Sequence, residues 1–404
     1  MSNFPKLDAF LSLSTKVPQA MRKLGEGKGE QVKVASFKRK APTHSQIVDD
    51  ILKPQKCKKG ESDDYKFYKN LIPEVVGSSL ADSSQEVYAG GWNRWILWCG
   101  VNAKYPMVAN PQDIAVYLIK LGMETEGVSS SLAARAHIRH YHKLARPSAP
   151  SPTDDDLVCQ IMAGIKRIYS RPVSKKKPLT PSLFKSILDF LLFQKDPSFI
   201  NLRLAVLLSL QYLSMARWEE VSNLSIEDVT LTDKGNLSLR YKKAKNNQFG
   251  SARMAAIATI PDSKYDPVRL FLQYRKRLEE LARLCGRPVS LLFTTCESRV
   301  VSMGVGVKTR TTVPTVKPWS YDAASSSFKT ALASLDLDLD PATYGMHSPR
   351  IGAASSAFNS GEMSETQLQV AGRWVSELTP RTYIIPDEDS LMVASRILLY
   401  SMLK

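Results

Sequence analysis

Two pairs of polar residues share one geometry. Arg217 and Glu220 stand three apart, and so do His347 and Arg350. On a helix this spacing puts both side chains of a pair on one face. Each pair is expected to follow a loop and open a helix, so that its polar groups sit near the N-terminal end, where anions bind. Two guanidinium groups aimed at one point suit a phosphodiester, whose non-bridging oxygens accept forked hydrogen bonds. Taken singly, each arginine reads more simply as a surface charge.

The wording around the pairs narrows the choice. Met215-Ala216-Arg217-Trp218-Glu219-Glu220-Val221, followed by Leu224 and Asp228, resembles the first arginine box of the Cre-like tyrosine site-specific recombinases. His347-Ser348-Pro349-Arg350-Ile351-Gly352-Ala353-Ala354 resembles their His-x-x-Arg box. It is also similar to the wording in recombinases of eukaryotic mobile elements of the DIRS and Crypton kind. Ala371-Gly372-Arg373-Trp374 leads, nine residues past the tryptophan, to Tyr383-Ile384. This resembles the end of a Cre-like active site, where a tryptophan replaces the histidine of most members. The likeness extends upstream through Trp92-Asn93-Arg94-Trp95-Ile96-Leu97-Trp98-Cys99 and the proline-rich stretch at 146–152, and so covers roughly residues 83–404.

The resemblance implies a role for each matching residue. Arg217 and Arg350 would clamp the scissile phosphate and offset charge in a pentacoordinate transition state. Glu220 would orient Arg217. His347 would assist proton transfer, and Trp374 would donate its indole N–H to a phosphate oxygen. Tyr383 would attack phosphorus, leaving a 3′-phosphotyrosine and a free 5′-hydroxyl. A lysine in a β-hairpin turn would protonate the leaving oxygen. Lys242, Lys243 and Lys245 are the candidates: Lys245 fits best, and the other two would touch backbone phosphates. Two arginines can stand in for a divalent metal, and the covalent intermediate stores the bond energy, so neither metal, ATP nor other cofactor is expected. Departures from the family pattern are few. Arg373 stands where Cre-like members have a second glycine, and the Val- and Thr-rich stretch from Val300 to Thr315 reads as a surface loop. Tyr344 precedes the histidine box and reads as packing, as does Tyr400.

These residues need elements to hold them. The chain has 404 residues, of which 43% are hydrophobic, enough for two cored domains and a tail. Residues 1–72 read as a disordered basic tail, rich in Lys, Ser, Gly and Pro. Its first sixty residues carry 13 basic and 5 acidic side chains, a surplus that is half of the net charge of +16. Two basic clusters, at Phe37–Pro42 and Lys56–Lys59, suit a nuclear-import signal or a DNA-holding arm, or a plain solvated tail. Residues 73–172 read as an all-helical core-binding domain. Tyr88, Trp92, Trp95 and Trp98 line one helix face and are expected to be core. Arg135, Arg139, His142 and Lys143 cluster on a helix from about Ser130 to Leu144, a basic face that suits a major groove as well as it suits solvent. Residues 173–180, lysine-rich with a proline at each end of the stretch from Arg171, form a linker.

Residues 181–404 read as the catalytic domain, mainly α with a small antiparallel sheet. The sheet is expected between Asp228 and Thr259, around the turn Lys234-Gly235-Asn236. A last amphipathic helix, Asp389 to Leu403, either docks on its own domain or passes to a neighbouring subunit. Passing it on would imply a ring of four subunits.

Composition supports the same partner. The basic surplus favours a polyanion, with nucleic acid foremost. No stretch approaches the ~18 apolar residues of a membrane span. The five cysteines, Cys57, Cys99, Cys159, Cys285 and Cys296, have no metal-ligand spacing and suit reduced thiols. The combined expectation is a two-domain clamp on double-stranded DNA with inverted-repeat sites. It would be a homo-tetrameric, nuclear recombinase or integrase of a mobile element, with no membrane and no small-molecule substrate. Two other readings stay open: a type IB topoisomerase-like nickase acting as a monomer, and a domesticated, catalytically silent DNA-binding protein.

Overall fold

A computed structural model describes residues 41–52, 62–171, 175–193, 196–242, 252–302, 308–376, 378–387 and 392. The chain divides into two compact units, Met1–Val173 and Ser174–Lys404. It is mainly helical, with small antiparallel sheets in the second unit.

The first unit is built from helices α1 (His44–Leu52), α2 (Asp63–Gly77), α3 (Asp82–Val101), α4 (Pro111–Thr125), α5 (Val128–Ala145) and α6 (Asp156–Tyr169). Their starts are written in the sequence. The side chains of Ser62, Asn110 and Asp155 each accept a backbone N–H of the first turn, and Pro111 supplies a preset φ at N1. Trp92 and Trp95 are fully buried with Ile114, Leu118, Ile138 and Tyr141. The tryptophan face is therefore core.

The tail reading needs correction. Residues 44–52 form a helix, and Ile47 and Ile51 belong to the core of this unit. His44, Ile47, Val48 and Ile51 are all buried on it, so one face of a nine-residue helix has enough apolar surface to dock even within a lysine-rich context. Residues 63–77 are helical too. Residues 1–40 and 53–61, with the Lys56–Lys59 cluster and residues 37–40 of the Phe37–Pro42 one, lie outside the described residues.

The second unit opens with α7 (Pro181–Leu191) and the buried α8 (Phe199–Leu213), on which only Leu213 is strongly exposed towards its C-terminal end. A short helix α9 (Trp218–Ser222) precedes a three-stranded antiparallel sheet, β1 (Val229–Leu231), β2 (Leu237–Tyr241) and β3 (Arg253–Ile257), in the order β1-β2-β3. The β1–β2 turn places Gly235 at φ +76°, where a side chain would be strained. Helix α10 (Pro267–Leu284) follows. The stretch read as a surface loop is in fact a long antiparallel hairpin, β4 (Thr294–Ser302) with β5 (Lys308–Pro318). Its Val and Thr residues are β-branched and suit a pleated ribbon. Helices α11 (Tyr321–Ala333), α12 (Ser348–Asn359) and α13 (Glu365–Ala371) complete the unit. Tyr344 packs in its core. The final helix from Asp389 to Leu403, with Tyr400, lies outside the described residues but for Met392.

The segment before α7 is built into this unit. Lys177 N–H bonds the Thr343 carbonyl at 3.0 Å, and Leu179 N–H bonds the Ser348 carbonyl at 3.0 Å. A Cβ on Gly352 would stand 1.9 Å from the Leu179 carbonyl oxygen. Only glycine lets the helix bearing Arg350 approach this strap.

Candidate active site

Both predicted pairs open helices. Arg217 is the N-cap of α9, and His347 is the N-cap of α12 with Arg350 in its first turn. Glu220 accepts the Arg217 backbone N–H at 2.9 Å and its guanidinium at 2.9 Å. It also lies 3.9 Å from Arg350 and 3.2 Å from Arg373. One carboxylate, 4% exposed, thus serves three guanidinium groups. Burial by itself would raise the Glu220 carboxyl. The Arg217 N–H and the charges of Arg373, Arg350 and Arg217 outweigh that, and its pKa lies below the usual value.

Arg350 is fully buried. Its two terminal nitrogens donate to the carbonyls of Met215 and Gly372. Its guanidinium lies 4.7 Å from the Trp374 ring centre and 4.9 Å from that of Tyr383. Burial and the Arg217 charge lower its pKa to about 10, which leaves it a cation at neutral pH.

Tyr383 closes the group. Its ring centre lies 5.2 Å from that of His347 and 5.4 Å from that of Trp374. Its backbone is tied to α12: the Ser355 hydroxyl donates to the Tyr383 carbonyl at 3.3 Å and accepts Ile385 N–H at 3.0 Å. Lys175 reaches the neighbouring Thr382 carbonyl at 3.0 Å. Burial, then the charges of Arg350 and Arg217, lower the His347 pKa, so its imidazole is neutral at pH 7. Three buried N–H donors here, Arg350 Nε, Arg373 Nε and Trp374 Nε1, meet no acceptor among the described residues. In a closed site such donors favour an incoming oxygen acceptor.

Other predicted residues are placed elsewhere. Lys242 bonds Glu227 at 2.9 Å and Asp228 at 3.1 Å. Lys243 and Lys245 lie outside the described residues. Arg139 pairs with Asp154 at 2.8 Å, and Arg135 donates to the Thr153 carbonyl at 2.9 Å. His142 is buried against the Pro106 carbonyl, so of this expected basic face Lys143 is exposed and His142 is core. Among the described residues no group of three or more His, Cys, Asp and Glu side chains could hold a metal.

Arg373 is a further residue of the site that the sequence does not mark. Its terminal nitrogens reach Ser214 O at 2.8 Å, Ala371 O at 3.2 Å and Glu220, and its own carbonyl accepts Arg253 at 2.6 Å. Its spacing to Trp374 was visible, but its contacts arise from chain segments far apart in sequence.

Comparison with known proteins agrees with this architecture. The chain is similar to the Cre recombinase of Escherichia phage P1, at 23% identity over 155 residues, which are 37% of this chain and 44% of that protein. The match thus spans less than half of that relative. A solved structure of the XerH site-specific recombinase bound to palindromic difH substrate, a post-cleavage complex, aligns with a TM-score of 0.54 at 13% identity, over 88% of this chain and 96% of that one. The XerH pre-cleavage complex with difH aligns with a TM-score of 0.51 at 11% identity, over 87% and 94%. No family model matches the chain. The chain thus shares the fold of these solved recombinases and is similar in part of its sequence to Cre.

Proposed function

We propose that the chain is a site-specific DNA recombinase or integrase that cuts and rejoins strands through Tyr383. One observation carries this reading: Tyr383, His347, Arg350 and Trp374, drawn from three separate segments, meet around one spot. The Tyr383 oxygen attacks a phosphodiester, the P–O bond to the 5′-carbon side breaks, and the 5′-oxygen leaves with a proton. A 5′-hydroxyl then attacks the 3′-phosphotyrosine and restores tyrosine and the phosphodiester. Arg217 and Arg350 offset the charge on the equatorial oxygens, and the Trp374 indole N–H adds a third donor. Lys245 is the proton donor to the leaving oxygen, with Lys242 or Lys243 as its alternates.

The substrate is double-stranded DNA with inverted-repeat sites. Four copies act together, in the nucleus, for integration or excision of a mobile element. Both units bind the duplex, and the α5 face with Arg135, Arg139 and the exposed Lys143 serves a major groove. The basic surplus and the similarity to Cre support this reading.

The test is covalent capture. Purified protein is incubated with fragmented genomic DNA, denatured in detergent and precipitated, and the attached DNA is sequenced beside Tyr383→Phe. Adducts that vanish in the mutant and converge on one inverted repeat are expected. Salt-sensitive binding without adducts would favour a catalytically silent DNA-binding protein. Plasmid relaxation by monomers without site preference would favour the topoisomerase-like reading.

A further inference from the structure

Arg373 occupies a backbone conformation that its side chain should avoid. Its φ is +54°, in the left-handed region, where residues with a Cβ carry a cost of about 1 kcal/mol or more. Glycine would sit there without strain. A strained arginine persists where its surroundings over-determine it.

Those surroundings join every part of the candidate site. The side chain donates to Ser214 O, the carbonyl next to Met215, whose own carbonyl takes Arg350. Adjacent carbonyls of one turn are therefore held by two different arginines. That turn leads directly into Arg217, and Met215 is itself left-handed at φ +49°. The other terminal nitrogen of Arg373 reaches Glu220, the carboxylate that orients Arg217. Its guanidinium lies 4.7 Å from the ring centre of Tyr241, the last residue of β2 before Lys242. Its carbonyl accepts Arg253, the first residue of β3, which pairs with Tyr241. The next residue is Trp374. With its side chain 7% exposed, Arg373 is buried among these contacts.

We propose that Arg373 is a positioning residue: a buried junction that holds the Arg217 turn, the ends of β2 and β3 and Trp374 in one register. This rests on the strand-transfer reading above. Positioning errors of about 1 Å are costly in chemistry, so its loss should appear in the cleavage step rather than in binding. The fork is what is needed, because three acceptors on two nitrogens suit a guanidinium and not a point-charge ammonium.

The experiment uses the full chain and a duplex recovered by covalent capture with the wild type. Arg373→Gly removes the guanidinium while relieving the backbone; Arg373→Lys keeps the charge and loses the fork. Single-turnover adduct formation, affinity for the same duplex at fixed salt and melting temperature are measured for both. The expected result is adduct formation slowed at least ~10-fold in Arg373→Gly with affinity within about twofold of wild type, and partial recovery in Arg373→Lys. Adduct formation within twofold of wild type in Arg373→Gly overturns the proposal. So does a parallel fall of rate, affinity and melting temperature in both variants, which would make the residue merely structural. A wild type that forms no Tyr383-dependent adduct fails the strand-transfer reading itself, before either variant is compared.

Discussion

The two units bury polar side chains to opposite effect. Four of the five histidines, His44, His137, His140 and His142, lie in the first unit. They pack among Tyr88, Trp92 and Tyr141, with His44 bonded to the Tyr141 hydroxyl at 2.7 Å. Burial is the first cause that lowers the pKa of each, that of His140 to about 4. These rings are neutral packing. In the second unit burial falls on guanidinium groups, which stay charged because their pKa starts so high. Glu220 offsets that charge, and the excess faces the fifth histidine and Tyr383. A polar core that neutralises itself is scaffold; one that cannot is suited to hold an anion.

Removing the counter-charge should have the largest effect. Glu220→Ala leaves three guanidinium groups buried around an empty place, and loss of one partner of a buried pair costs on the order of 3–5 kcal/mol. Urea unfolding of the second unit should register it. A loss below ~1 kcal/mol would mean that the arginines relax into solvent and that the contrast between units is overstated.

Next come two glycines, one per unit. A Cβ on Gly352 meets the Leu179 backbone at 1.9 Å, and one on Gly91 meets the His137 ring at 1.8 Å. A backbone strap yields less than a side chain, so Gly352→Ala should destabilise more than Gly91→Ala, within the ~1–3 kcal/mol usual for overpacking. Equal melting shifts would show that the His137 ring is as fixed as the strap.

The histidines make the first unit sensitive to acid. Their folded pKa values lie below the unfolded value of 6.5, so the unfolded chain binds more protons between those values. Stability is full above pH ~6.5 and falls as pH drops towards about 4, with Arg94 adding repulsion at His137. Hydrogen exchange should show α1, which carries His44, losing protection first. Protection of α1 that does not change between pH 7 and pH 5 would sink this reading.

The smallest effect should come from the surface. Arg139 and Asp154 form a half-exposed pair, and Arg139→Ala should leave the melting temperature of the first unit essentially unchanged.

What could be read from the sequence follows from range. His347 with Arg350, and Arg217 with Glu220, declare themselves because helical spacing fixes their geometry locally. The tryptophans of α3 declare their burial in the same way. The ribbon β4–β5 is hard to read because Pro314 interrupts β5 and polar residues fall on both faces, so the alternation that signals a half-buried strand is weak. Helix α1 was masked by its lysine-rich surroundings, although Ile47 and Ile51 stand four apart. Arg373 looked like a departure from a glycine, since neither a positive φ nor its distant carbonyl partners leave a trace in local pattern.

The central claim is that Tyr383 becomes bonded to DNA. The most direct measurement is mass spectrometry of the peptide beginning at Thr382, after trapping on a captured duplex, exhaustive nuclease digestion and trypsin. The account predicts a nucleotide remnant joined through its 3′-phosphate to Tyr383. A remnant on any other residue, or an unmodified peptide from protein shown to be cutting DNA, would contradict it.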